Sequence, residues 1–174
     1  MIKNVFLDRD GIVNEVMIRN NKIESPRSLH EFKILDDFIE IYNALRKHGC
    51  NFFVVSNQPD IARNIMSVDV LKEIDTLLLS RFTFNEILYC IHDDGDNCNC
   101  RKPKPGMITN TLVKYNLLAN ESVIIGDSWK DIECGNNAGV HTVFLNRTYN
   151  KEHQCSPDYS IKNLHELLHL QLWR

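Results

Sequence analysis

The 174 residues carry 20 Lys and Arg against 23 Asp and Glu, a net charge of -3, with 43% apolar and 25% charged side chains. This balance excludes a disordered chain, suits one globular domain over residues 1–174 with a substantial core, and gives no electrostatic reason to expect nucleic acid as a partner. No apolar run approaches the roughly 18 residues of a membrane span and the chain opens on a strand rather than a signal sequence, so the expected setting is the cytoplasm, with no membrane partner.

The first strand is the short apolar run Val5-Phe6-Leu7, which stops abruptly at Asp8-Arg9-Asp10-Gly11. In an open α/β sheet, ligands bind beyond the carboxyl ends of the strands, so these carboxylates are candidates for chemistry rather than for a simple Asp-Gly turn. In an extended loop Asp8 and Asp10 project to one side, roughly 7 Å apart, close enough to act on one small group. Residues Asn14 to Leu35 lack clean periodicity and read as an irregular excursion that leaves the catalytic edge and covers it.

Asp36 or Asp37 then caps a helix with Phe38, Ile41, Tyr42 and Leu45 on one face, ended by Gly49. Asn51 to Val55 is the second strand and runs into Ser56-Asn57-Gln58. A second helix extends from Ser67 to about Phe82, and Glu86 to Cys90 is the third strand. After a polar loop, Pro105-Gly106 opens a third helix containing Ile108, Leu112 and Tyr115. Ser122 to Gly126 is a buried parallel-type strand, and Trp129 to Ala138 is a helix stopped by Gly139. Val140 to Leu145, a short edge strand at Tyr159 to Ile161 and a closing helix from Leu164 to Leu172 complete the chain. This β-α alternation specifies a three-layer Rossmann-like fold: a mostly parallel sheet with helices on both faces and right-handed crossovers.

Four strand ends present polar groups to one edge: Asp8 and Asp10, then Ser56 and Asn57, then Arg101 and Lys102, then Asp127 with Asp131. Carboxylates at Asp8, Asp10 and Asp127 make a hard oxygen site suited to Mg²⁺, which retains waters and accepts a phosphate oxygen. Ser56 and Asn57 offer donors to phosphate oxygens, and Lys102 places a cation where charge builds up.

The six cysteines are Cys50, Cys90, Cys98, Cys100, Cys134 and Cys155. Cys90 and His92, followed by Cys98 and Cys100, supply three thiols and an imidazole, a closed tetrahedral set for structural Zn²⁺. Such a zinc loop would fix a segment too polar to fold by burial and so position Arg101 and Lys102, which follow at once. Cys50 and Cys134 read as buried thiols.

Taken together, D-x-D-G, a Ser after the second strand, a Lys before the fourth and G-D-x-x-x-D resemble the haloacid dehalogenase (HAD) superfamily of phosphatases over nearly the whole chain. The resemblance implies that Asp8 is a nucleophile forming an aspartyl-phosphate and that Asp10 is a general acid and base. It implies Mg²⁺ held by Asp8, the backbone carbonyl of Asp10, and Asp127, with Asp131 supporting the metal's waters. The zinc loop, the string Arg101-Lys102-Pro103-Lys104-Pro105-Gly106-Met107 and the short inserts narrow the resemblance to a group without a large cap domain. That group contains heptose 1,7-bisphosphate and histidinol-phosphate phosphatases. There Arg101 and Lys102 contact the substrate phosphate, and Ser56, Asn57 and Gln58 belong to the substrate-binding motif.

The implied function is Mg²⁺-dependent hydrolysis of a small sugar phosphate, the heptose bisphosphate first and histidinol phosphate or another sugar phosphate as alternatives, by a monomer in carbohydrate and lipopolysaccharide metabolism. Two departures stand out: Pro59-Asp60 replaces the usual Ser-Gly, and Ser128 stands where a Lys often follows the Asp. A metal-binding regulatory module is the non-enzymatic alternative, although both Asp8 and Asp10 are present.

Overall fold

The chain runs β1 (Asn4–Leu7), β2 (Met17–Arg19), β3 (Lys22–Glu24), α1 (Asp36–Lys47), β4 (Asn51–Asn57), α2 (Val68–Arg81), β5 (Glu86–Cys90), α3 (Gly106–Lys114), β6 (Ser122–Gly126), α4 (Trp129–Ala138), β7 (His141–Leu145) and β8 (Tyr159–Ile161). These are the elements of a computed structural model that describes residues 1–149 and 156–173. Six strands form one sheet in the order β5-β4-β1-β6-β7-β8, and every pairing in it is parallel.

Successive side chains on a strand point to opposite faces, and here both faces are apolar. Val5, Leu7, Phe52, Val54, Val123 and Ile125 enter one core, with Phe38, Ile41, Tyr42 and Leu45 of α1 and Ile74 and Leu78 of α2. Phe6, Phe53, Val55 and Ile124 enter the other, with Met107 and Ile108 of α3 and Cys134 of α4. The three-layer fold is therefore written into the strand sequences. Two of the cysteines, Cys50 and Cys134, are buried thiols; Cys155 lies outside the described residues.

The segment read as an irregular excursion contains a two-stranded antiparallel ribbon, β2 against β3. Its turn is Asn20-Asn21 with φ of 51° and 58°, the left-handed pair that a tight hairpin demands and that asparagine tolerates better than most residues. Neither Asp36 nor Asp37 caps α1: Leu35 holds that position, and the two acids lie in the first turn, where they complement the helix dipole. Ser67 does precede α2, without a side-chain cap bond.

The closing segment is not an α-helix. It forms 3₁₀ turns over Leu164–His169 and Gln171–Trp173. Leu164, Leu167, Leu170 and Trp173 recur every third residue and pack on the first core, which matches a helix of three residues per turn better than one of 3.6. Among the described residues, no helix is long and apolar enough to cross a membrane.

The sheet order determines where a ligand can sit. From β1 the chain moves outward to β4 and β5, then returns to β6 on β1's other side. The crossovers diverge at β1, and the crevice they leave lies beyond its carboxyl end. Asp8 is the first residue past that end, still tied to the ladder by its N–H donating to the Ile125 carbonyl at 3.0 Å.

Candidate active site

A cavity of about 470 Å³ opens at this crevice, lined by Asp8, Asp10, Ser56, Asn57, Arg101, Lys102, Asp127 and Asp131 among others. Its floor is an ionic cluster. The Lys102 ammonium is buried and donates to Asp8 Oδ1 at 2.8 Å, to Asp131 Oδ1 at 2.5 Å and to the Val55 carbonyl at 2.8 Å. Asp131 also accepts the Ser128 N–H on Oδ2, closing a capping box at the start of α4. Gly126 makes this approach possible, since a Cβ there would lie 2.3 Å from that of Asp131.

Carboxylate oxygens of Asp8, Asp127 and Asp131 lie within 4.8 Å of one another. Three carboxylates around one ammonium leave negative charge uncompensated. Burial and the neighbouring Asp131 push Asp8 well above the usual carboxylate range, against the opposing pull of Lys102. Burial, again with Asp131, raises Asp127 to about 7 although Tyr149 donates to it at 2.5 Å. Burial would lower Lys102, but Asp131 and Asp8 outweigh it and hold the ammonium protonated. An oxygen-rich site with surplus negative charge fits a hard divalent cation such as Mg²⁺, which the Asp8, Asp127 and Asp131 carboxylates could hold.

Asp10 is placed differently. Its carboxylate turns onto Arg9, which donates from Nε at 3.1 Å and Nη2 at 3.0 Å, and onto Asn14, Ser25 and Gln58 at 2.9, 2.7 and 2.8 Å. Burial would raise Asp10, but the Arg9 guanidinium and these donors hold it below the ordinary carboxylate range. Arg9 is fully buried, with its guanidinium carbon 5.7 Å from the Phe32 ring centre and 5.5 Å from that of Tyr89. Gly11 adopts φ +91°, and a Cβ there would lie 2.0 Å from Asp127 Oδ2, so the loop can cross the site only as glycine.

The other expected substrate groups divide between the cavity and the wall behind it. Ser56 is buried and accepts from Gln58 Nε2 at 3.0 Å, and Gln58 is turned inward onto Asp10. The Asn57 side chain clamps the Lys102 backbone in both directions, donating to its carbonyl at 2.9 Å and accepting its N–H at 3.0 Å. Arg101 lines the cavity, held by Asp94 at 2.6 Å and donating to the His92 carbonyl at 3.2 Å. Asp60 is buried and pairs with Arg27 at 2.8 Å, and Ser128 is the N-cap of α4.

The sequence reading missed Arg9, Asn14, Ser25 and Tyr149. Only Arg9 carried a signal, as a charge inserted between two candidate carboxylates.

Beside the cavity, Cys90, His92, Cys98 and Cys100 converge. Sulfur atoms of Cys90 and Cys98 are 3.6 Å apart and those of Cys90 and Cys100 3.3 Å, while His92 Nδ1 is 3.7 Å from Cys90 and 3.4 Å from Cys100. A tetrahedron with Zn–S bonds of about 2.3 Å has edges of about 3.8 Å, so the four groups fit one zinc ion. Arg101 and Lys102 follow this cluster directly.

A doubly wound parallel sheet with a carboxylate pair after its first strand and a buried lysine joining the first of that pair to a later Asp defines a phosphoryl-transfer domain of the HAD type. The HAD-hydrolase-like family model matches residues 99–167. The D-glycero-beta-D-manno-heptose-1,7-bisphosphate 7-phosphatase of Neisseria meningitidis is 34% identical over 137 residues, covering 76% of this chain and 71% of the relative. The corresponding alpha-anomer phosphatase of Campylobacter jejuni is 30% identical over 171 residues, 95% and 94% of the two chains. Part of the histidine biosynthesis bifunctional protein of Legionella pneumophila, 44% of its length, is 31% identical to 87% of this chain. The crystal structure of the D,D-heptose 1,7-bisphosphate phosphatase of B. bronchiseptica, with magnesium and phosphate, superposes with a TM-score of 0.81 at 23% identity, over 97% and 99% of the chains. The chain belongs to the HAD-like hydrolases, in the heptose-bisphosphate phosphatase family, and is a phosphoric monoester hydrolase.

Proposed function

We propose that this protein removes one phosphate from a small sugar phosphate through a covalent aspartyl-phosphate on Asp8, and that D-glycero-D-manno-heptose 1,7-bisphosphate is its substrate. The observation that carries the reading is the Asp8–Lys102–Asp131 cluster, with Asp127 beside it, at the floor of a sugar-sized cavity.

Asp8 attacks phosphorus while the ester oxygen leaves. A carboxylate approaching a phosphate dianion meets strong repulsion, and Lys102, already bonded to Asp8 Oδ1, offsets part of it. Asp10, in its protonated form, gives a proton to the departing alkoxide and then, as the carboxylate, takes one from the water that attacks the aspartyl-phosphate, so one group serves both half-reactions. Bound at Asp8, the Asp10 carbonyl and Asp127, Mg²⁺ would supply the remaining charge neutralisation. Asp131 orients Lys102 and the waters near the metal.

Ser56, the Asn57 backbone, Arg101 and Lys102 receive the phosphate oxygens, and Gln58 acts through Asp10. Cys90, His92, Cys98 and Cys100 would hold Zn²⁺, which would fix the loop that delivers Arg101 and Lys102. We place this reaction in the cytoplasm, carried out by a monomer whose residues 1–174 form one domain.

Phosphate release from heptose 1,7-bisphosphate, histidinol phosphate and a panel of sugar monophosphates, with and without Mg²⁺, tests the reading. Mg²⁺-dependent preference for the heptose bisphosphate, abolished by Asp8→Asn, supports it. Preference for another ester retains the mechanism and rejects the substrate.

A further inference from the structure

Asp10 is held by four side chains, and they are not equivalent. Its Oδ1 accepts from Arg9 Nε, Arg9 Nη2 and Asn14 Nδ2; its Oδ2 accepts from Ser25 Oγ at 2.7 Å, Gln58 Nε2 at 2.8 Å and, more distantly, Arg9 Nη2 at 3.2 Å. Arg9, Asn14 and Gln58 are fully buried at 0% exposure. Ser25 lies on the cavity wall, just past the β2–β3 ribbon. Arg19 on that ribbon anchors it, donating to the Ser25 carbonyl at 3.1 Å and pairing with Glu24 and Glu31.

A guanidinium or an amide –NH₂ only donates, and Arg9, Asn14 and Gln58 all lie behind the cavity wall rather than on it. A hydroxyl donates or accepts. Among these four partners, Ser25 is the one on the cavity wall, and its hydroxyl can donate to the carboxylate or accept from the acid.

We infer that Ser25 is a positioning residue for proton transfer, and that Oδ2, on the Ser25 side, is the oxygen of Asp10 that carries the proton. This inference rests on the reading of Asp10 as general acid and base given above. In the first half-reaction the Asp8–phosphorus bond forms and the ester P–O bond breaks, its electron pair going to the alkoxide oxygen, which takes the proton from Oδ2. In the second, water oxygen bonds to phosphorus, its proton goes to Oδ2, and the Asp8–O–P link breaks with its pair returning to the carboxylate. Arg9 and Asn14 fix Oδ1, so the carboxyl cannot exchange its two oxygens. The ribbon missed in the sequence has the role of presenting one hydroxyl.

The test compares two esters on the wild type, Ser25→Ala, Ser25→Thr and Asp10→Asn. One ester is a sugar phosphate, whose alkoxide needs a proton; the other is p-nitrophenyl phosphate, whose phenolate leaves without one. Because kcat/KM reports steps through departure of the leaving group, it isolates the acid role. Ser25→Ala is expected to lower kcat/KM about tenfold on the sugar phosphate and less than about threefold on the aryl ester, with Thr restoring the sugar reaction. Equal losses on both esters, or no loss on either, overturn the role of Ser25. If Asp10→Asn itself spares the sugar phosphate, the reading of Asp10 fails instead, whatever Ser25→Ala does.

Discussion

Lys102 reaches Asp8 Oδ1 at 2.8 Å and Asp131 Oδ1 at 2.5 Å, so one buried ammonium joins the end of the first strand to the helix that follows β6. Removing it leaves two carboxylates facing each other without their cation. Lys102→Met is expected to destabilise the metal-free protein by about 3 kcal/mol or more, because breaking a buried pair costs far more than making it contributes. Urea unfolding in the presence of a chelator measures this. With metal restored, kcat is expected to fall on the order of a hundredfold or more, as for the loss of one preorganised donor.

Gly11→Ala addresses the approach of the loop to Asp127. At φ +91° an alanine is strained, and its Cβ would fall 2.0 Å from Asp127 Oδ2. The expected result is weakened Mg²⁺ binding, read as a higher Mg²⁺ concentration for half-maximal activity, with a stability loss of only about 1–3 kcal/mol.

The cluster of Cys90, His92, Cys98 and Cys100 predicts a pH-dependent thiol. In the metal-free protein burial opposes ionisation of Cys98, but donation from Cys100 and from the backbone brings it down to about 7. Burial raises Cys90 to about 12. Only the thiolate is alkylated, so reactivity grows as pH rises through the thiol's own value. After chelation, Cys98 is expected to alkylate with a midpoint near pH 7 while Cys90 stays unreactive, and one equivalent of added zinc protects both. Peptide mapping by mass spectrometry across pH 5 to 9 reads this out.

Asp60 is part of one of the two departures from the motif that the sequence resembles, and the structure gives it a partner. Its carboxylate holds Arg27 at 2.8 Å and lies 3.7 Å from Arg63, and both arginines line the cavity. Asp60→Gly, which restores the usual residue, removes the counter-ion. Binding of a bisphosphate to the Asp8→Asn background is expected to tighten severalfold and to become more salt-sensitive, measured by calorimetry at two ionic strengths.

The layering of this protein could be read directly from its sequence. Val5, Phe6 and Leu7 are all apolar, so that strand must be buried on both faces, and the intervening helices declare parallel crossovers. Asp8, Asp127 and the Cys90–Cys100 cluster were legible for a related reason: charges and thiols placed right after apolar strands have few structural explanations.

Folding decided how the carboxylates are used. Nothing local distinguishes Asp10 from Asp8, yet Arg9, Asn14, Ser25 and Gln58 surround one, and Lys102 with Asp131 the other. Lys102 alone comes to Asp8 from 94 residues away. The β2–β3 ribbon escaped notice because its strands are three residues each and half exposed, leaving no hydrophobic alternation to detect. The sequence by itself thus determined the sheet, its carboxyl edge and the types of group gathered there. Only the tertiary structure decided which carboxylate sits beside Lys102 and Asp131 and which is saturated with donors, because protonation and reach depend on charges brought together across the fold.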